Sequence, residues 1–169
     1  MNRVLTSCIY ILLLLTCEPL IAETRIPAVI GSNMVLQRNT TVRIWGWDEP
    51  GEKIEIKENW NNRSVCTYAD EEGRWIAYLQ TSDAGGPYEI TIQGSIQIVL
   101  HNILLGDVWV CSGQSNMHFK VENCLHAKEA INNAQSKSLR FFYLGQKTES
   151  KPEDNCKGKW EICDSQSAP

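Results

Sequence analysis

Ser115 is the residue in this chain best placed to do covalent chemistry. It lies in the run Gly106-Asp107-Val108-Trp109-Val110-Cys111-Ser112-Gly113-Gln114-Ser115-Asn116-Met117. A serine hydroxyl is a weak nucleophile, so a hydrolase must hold it exposed, rigid and next to donors that stabilise an oxyanion. A strand that turns sharply into a helix meets those needs, because the first N–H groups of a helix lack partners and point at developing negative charge. Gly113 would admit the close backbone approach such a turn needs, with Gln114 and Asn116 flanking the hydroxyl. The plainer role for a serine here is a helix cap.

The elements around the serine are expected to follow from hydropathy. Val108, Trp109 and Val110 are apolar without alternation, which predicts a strand buried on both faces. Met117, Val121, Cys124, Leu125, Lys128 and Ile131 recur at helical spacing, and Leu139 to Leu144 forms a second apolar run. Strand, turn, helix and strand would make one right-handed βαβ unit with Ser115 at the carboxyl end of its first strand.

Upstream, from Ile26 to about Ile103, the pattern is all-β. Ile54 and Ile56 alternate, as do Trp75, Ala77 and Leu79, then Tyr88, Ile90 and Ile92, then Ile96, Ile98 and Leu100. Turn sequences separate them at Glu49-Pro50-Gly51, Asp70 to Gly73, Gly85-Gly86-Pro87 and Gly94-Ser95. These short strands predict a small antiparallel β-sandwich-like or jelly-roll-like module, with Trp45 and Trp75 in its core and the burial of Trp47 and Trp60 left open by the pattern. The expected organisation is a signal peptide over 1–22, the β module over 23–103, and the first part of an α/β domain over 104–169. Residues 166–169 have no visible anchor and are expected to fray.

Four segments together resemble the sialate O-acetylesterases, a family of SGNH/GDSL-type hydrolases. They are Ser32 to Arg38, Ile44 to Trp47 with Pro50-Gly51, Ala84 to Tyr88, and Gly106 to Met117. The resemblance extends from about Ile26 to Trp160. It implies that Ser115 is the nucleophile, attacking the carbonyl of an O-acetyl ester on a sugar, with its own N–H as one oxyanion donor. It also implies that the other donors, a Gly and an Asn, and the triad histidine with its acidic partner come from later segments. The expectation is therefore an N-terminal portion of such an esterase, inert alone. The alternatives are a non-catalytic secreted binding or structural module, and an acetylesterase for another acetylated sugar.

The three histidines are not expected to supply the base. His118 shares a helix face with Ser115 but has no evident orienting group, while His101 and His126 are read as surface or packing residues. Asp107 is too far along an extended strand to partner Ser115, and is read as a polar anchor at the strand's start.

Arg3, the apolar stretch Val4 to Leu15 and small Ala22 have the form of a cleaved signal, too short to span a bilayer. A secretory route, to the exterior or the lysosome, fits the sequons at Asn39 and Asn62. Seven cysteines occur, two of them within the signal, and Cys156 with Cys163 is the expected disulfide. No cluster suggests a metal, and no cofactor is expected. A net charge of −4 without a basic block argues against nucleic acid as a partner. The expected partner is the acetylated sugar.

Overall fold

The computed structural model describes residues 23–113, 115–145 and 149–167, apart from the side chain of His118. The expected signal peptide lies outside the described residues.

The chain is mostly β-strand. β1 (Val35–Gln37), β2 (Thr41–Trp47), β3 (Lys53–Glu58), β4 (Arg63–Tyr68), β5 (Arg74–Gln80), β6 (Gly85–Gln93) and β7 (Gln97–Gly106) form two sheets. One is five-stranded in the order β1-β7-β6-β3-β4, and the other pairs β2 with β5 antiparallel. Alternation decides which side chains face inward, because successive residues of a strand point to opposite faces. Ile54, Ile56, Ile90 and Ile92 of the larger sheet are fully buried, and they share one core with Ile44, Trp75, Ala77 and Leu79 of the smaller. Trp45 and Trp60 are only partly buried against that core. Burying each such isoleucine contributes about 1.5–3 kcal/mol.

Two strands escape the sequence pattern. β4, Arg-Ser-Val-Cys-Thr-Tyr, is an edge strand with no buried residue. β1 is three residues long and pairs parallel with β7, setting Val35 opposite Leu104 and Gln37 opposite Gly106.

A bulge in β7 resets its alternation. Ile90 lies opposite Leu100 and Tyr88 opposite Ile103, so three steps along β7 match two along β6. Asn102, with φ 58°, takes up the extra residue, a conformation that asparagine tolerates better than most side chains. Leu100 faces the core before the bulge, and Ile103 and Leu105 face it afterwards.

Buried polar groups are tied within the module. Asp48 accepts hydrogen bonds from the Thr24 hydroxyl (2.5 Å) and the Glu49 and Ser95 amides (2.8 and 3.2 Å). Desolvation pushes its pKa up, but the hydrogen bonds from Thr24, Ser95 and the backbone outweigh this and hold it below the usual carboxylate range. Buried Glu58 accepts from the amides of Asn61 (2.8 Å) and Arg63 (3.2 Å), closing the β3–β4 turn.

The region after β7 departs from expectation. Val108, Trp109 and Val110 do not form a buried strand; Trp109 and Val110 are 84% and 90% exposed. An apolar run becomes a buried strand only where neighbours pair and cover it, and no described strand pairs with this one. The expected long helix is divided into 3-10 turns at Ser115–His118 and Val121–Asn123 and a short helix α1 (Ala127–Asn132). Lys120 and Cys124 are extended and His126 is left-handed at φ 63°, so the chain leaves helical space twice. The second apolar run does become a strand, β8 (Ser136–Phe142), but it pairs antiparallel with β9 (Trp160–Cys163). Among the described residues, the expected parallel crossover is therefore not formed.

The last segment is fastened to the β module. Trp160 donates its indole N–H to the Val29 carbonyl (2.8 Å) and packs at 5.4 Å from the Phe142 ring. Asn155 accepts from the Ala28 amide (3.0 Å), and Trp45 donates to the Asp154 carbonyl (3.0 Å). The expected Cys156–Cys163 bridge is not formed: all five described cysteines are free thiols. Cys163 is taken inward by β9 while Cys156 stays in the loop before it. Cys111, which follows the run Val108 to Val110, is exposed like it. Nor does Ser167 fray; its hydroxyl donates to the Ile162 carbonyl and its amide to Asp164 (2.5 and 2.8 Å).

Candidate active site

Ser115 is exposed at the first position of the 3-10 turn Ser115–His118. The leading N–H groups of such a turn have no acceptor within it, so they remain available to an incoming oxygen. Gly113 serves this turn by its lack of a side chain: a Cβ there would lie 2.5 Å from Met117 Cγ, so glycine lets that side chain fold back beneath the corner. Asn116 is exposed beside Ser115, and its carbonyl accepts from the Phe119 amide (3.3 Å). Gln114 lies outside the described residues.

The loop carrying the serine is anchored at its base by residues from far upstream. Arg38 leaves β1 and grips Asp107 with two contacts, Nε to Oδ1 at 2.9 Å and Nη2 to Oδ2 at 3.4 Å. The Arg38 amide donates to the Gly106 carbonyl (2.9 Å), and the Val108 amide donates to Gln37 Oε1 (2.9 Å). The Arg38 hydrogen bond, with its charge, holds the Asp107 carboxyl below the usual range and raises the guanidinium in return. Asp107 is thus an anchor, as its position suggested, but its partner is Arg38. Sequence reasoning gave no role to Gln37 and Arg38. The available signal was their place in a motif ending in a polar pair beside a short apolar run.

The β7 bulge is held in the same way. Asn102 Nδ2 donates to Asn33 Oδ1 (2.6 Å), the His101 backbone amide donates to Ser32 Oγ (3.0 Å), and the Asn33 backbone amide donates to the His101 carbonyl (2.9 Å). From β8, buried Arg140 reaches Asn102 Oδ1 at 3.4 Å, and burial lowers its pKa. The segment Ser32 to Arg38 therefore clamps β7 at two points, the bulge and the exit toward Ser115.

The histidines divide. His101 faces solvent and contacts Glu89 through Nδ1 (2.5 Å), so it belongs to the sheet surface. His126 is exposed at the start of α1. The side chain of His118 lies outside the described residues. Among the described residues no group of three or more His, Cys, Asp or Glu could hold a metal. Asn39 and Asn62 are exposed with φ 53° and 54°, and Asn39 Nδ2 donates to Asp83 Oδ1 (2.9 Å).

No family model matches the chain. Sialate O-acetylesterases from Mus musculus and Homo sapiens are 33% and 30% identical to it over 129 residues, which is 70% of this chain. A crystal structure described as a novel carbohydrate acetylesterase, from Xanthomonas citri, superposes with a TM-score of 0.82 at 27% identity. It covers 86% of this chain. The chain is related to the sialate O-acetylesterases. It spans about a quarter of the length of the curated relatives it matches, 24% and 25%, and 34% of the Xanthomonas citri chain.

Proposed function

We propose that the chain supplies the β module and the nucleophile segment of a carbohydrate O-acetylesterase acting on O-acetylated sialic acids. Ser115 is the nucleophile. The observation that carries this reading is the exposed Ser115 hydroxyl on the first residue of a turn whose loop is anchored by the Arg38–Asp107 pair, in a chain related to enzymes of that name.

In the proposed reaction, Ser115 Oγ attacks the acetyl carbonyl while a base takes its proton. Negative charge gathers on the carbonyl oxygen, where the Ser115 N–H is one donor. Collapse expels the sugar hydroxyl and leaves an acetyl-serine, which water cleaves to acetate. The base and further donors come, on this reading, from segments other than those described. The sequence pattern of residues 1–22 supports delivery to the secretory pathway, with Asn39 and Asn62 as glycan acceptors.

The experiment is acetate release from 9-O-acetyl-N-acetylneuraminic acid by the product of the whole reading frame and by its Ser115→Ala variant. Loss of at least about a thousandfold in kcat is expected. Equal turnover by both proteins would remove Ser115 from the mechanism. Turnover by neither would favour a non-catalytic module. A preference for acetylated neutral sugars would reassign the substrate but keep the chemistry.

A further inference from the structure

Where the segment before β9 meets the β module, a cleft of about 390 Å³ is lined by Arg25, Ile26, Trp47 and Asn155. That size lies in the range of small-ligand clefts and suits a single sugar ring. We propose that this cleft binds a carboxylated pyranose, one sugar-acid residue of a glycan.

Its walls are tied together by the backbone. Arg25 and Trp47 exchange two hydrogen bonds, each amide to the other's carbonyl at 2.8 Å. Residues paired directly in this way point their side chains to the same face, so guanidinium and indole stand side by side. Asn155 is fixed from the other side, its Oδ1 accepting from the Ala28 and Cys156 amides (3.0 and 2.8 Å). Its Nδ2 is left as the group it can offer a ligand. A cleft set in advance loses little freedom when occupied.

The chemistry of the lining selects the ligand. Arg25 is exposed and presents a planar fork that matches a carboxylate in a two-point grip. Asn155 adds a donor for a ring oxygen or hydroxyl. The Trp47 indole offers a flat apolar surface for the C–H face of a sugar, and Ile26 an apolar edge. No carboxylate borders this cleft among the described residues.

Next to it, and sharing Trp47, a recess of about 90 Å³ is bordered by Arg43, Trp45, Arg74 and Asp154. Arg43 lies over the Trp45 ring at 4.6 Å, and Arg74 pairs with Asp154 at 3.7 Å. Three arginines therefore meet one aspartate across the two hollows, on a chain whose net charge is −4. The arginines lining the two hollows offer positive charge to an anionic glycan.

The test is an NMR titration of the whole gene product and its Arg25→Gln and Trp47→Phe variants, following the tryptophan indole N–H signals. The probes are N-acetylneuraminic acid, glucuronic acid, galactose and a glutamate-rich hexapeptide. Both acids are expected to shift the signal that Trp47→Phe removes, and galactose to bind at least about tenfold more weakly. Arg25→Gln, at a surface position, should weaken the acids about tenfold and leave galactose within about twofold. Equal binding of galactose and the acids overturns the proposal, as does an unchanged affinity in Arg25→Gln or tighter binding of the peptide. The esterase activity of the Ser115→Ala variant is a separate readout, so failure of either proposal leaves the other standing.

Discussion

Arg38 and Asp107 lie 69 residues apart in the chain and meet at 2.9 Å at the foot of the loop that carries Ser115. The pair is solvent-exposed, with side chains 42% and 56% accessible. Exposed ion pairs add little to global stability, so its significance is positional. With Gln37 on the Val108 amide and the Arg38 amide on the Gly106 carbonyl, it fixes the direction in which the chain leaves the sheet.

Arg38→Met should therefore loosen the loop without unfolding the module. Hydrogen exchange of the amides from Asp107 to Val110 should quicken while the β5 and β6 amides stay protected. If Ser115 is the nucleophile as proposed, acetyl-ester turnover of the whole gene product should fall about tenfold, because its loop is no longer held in place. Unaltered exchange at those amides would remove the anchoring role.

Asp48 predicts an acid limb in stability. Its folded pKa lies below the unfolded value of about 3.9. Its contribution is therefore complete above that value and lost as pH falls through the folded pKa. Urea denaturation across about pH 2–6 should show a fall at the acid end that is smaller in Asp48→Asn. Parallel curves for the two proteins would deny Asp48 that part.

Gly46→Ala should destabilise the module. A Cβ there would stand 2.2 Å from the Arg25 carbonyl oxygen and 2.6 Å from Trp75 Cζ2, between a backbone bridge and a fully buried ring. Overpacking of this kind costs about 1–3 kcal/mol. A shift in the urea midpoint at constant slope reads it directly.

Ile92→Ala, at a fully buried position on β6, should cost about 2–5 kcal/mol through lost transfer energy and the cavity left behind. The neighbouring Thr91→Ala, pointing the other way, should cost far less. Similar midpoints for the two would contradict the assigned register, in which Ile92 faces Ile56 and Ile98.

The β module was legible because its strands are half-buried. Ile54 with Ile56, and Trp75 with Ala77 and Leu79, carry a period of two that only one orientation satisfies. β4 was not legible, since an edge strand with both faces accessible leaves no such imprint. β1 was hidden by its length, three residues paired parallel to a strand distant in sequence. The run Val108 to Val110 misled for a different reason: local sequence records the wish to be covered but not whether a neighbour does so. The helix after Ser115 failed at Cys124 and His126, where spacing suggested continuity and the backbone turned away. Ser115 was singled out by a motif, whereas Arg38 was not, because the meaning of Arg38 depends on a partner, Asp107, that only the fold supplies.

The extra residue accommodated at Asn102 sets which way the rest of the chain faces. Were the same residues to pair regularly instead of bulging, side chains would alternate strictly along β7 and everything downstream would turn over. Leu104 would then point to the interior and Leu105 to solvent, and the strand would deliver the Ser115 loop to the opposite side of the sheet. One asparagine in an uncommon conformation thus acts as a compass needle for a serine thirteen positions further on.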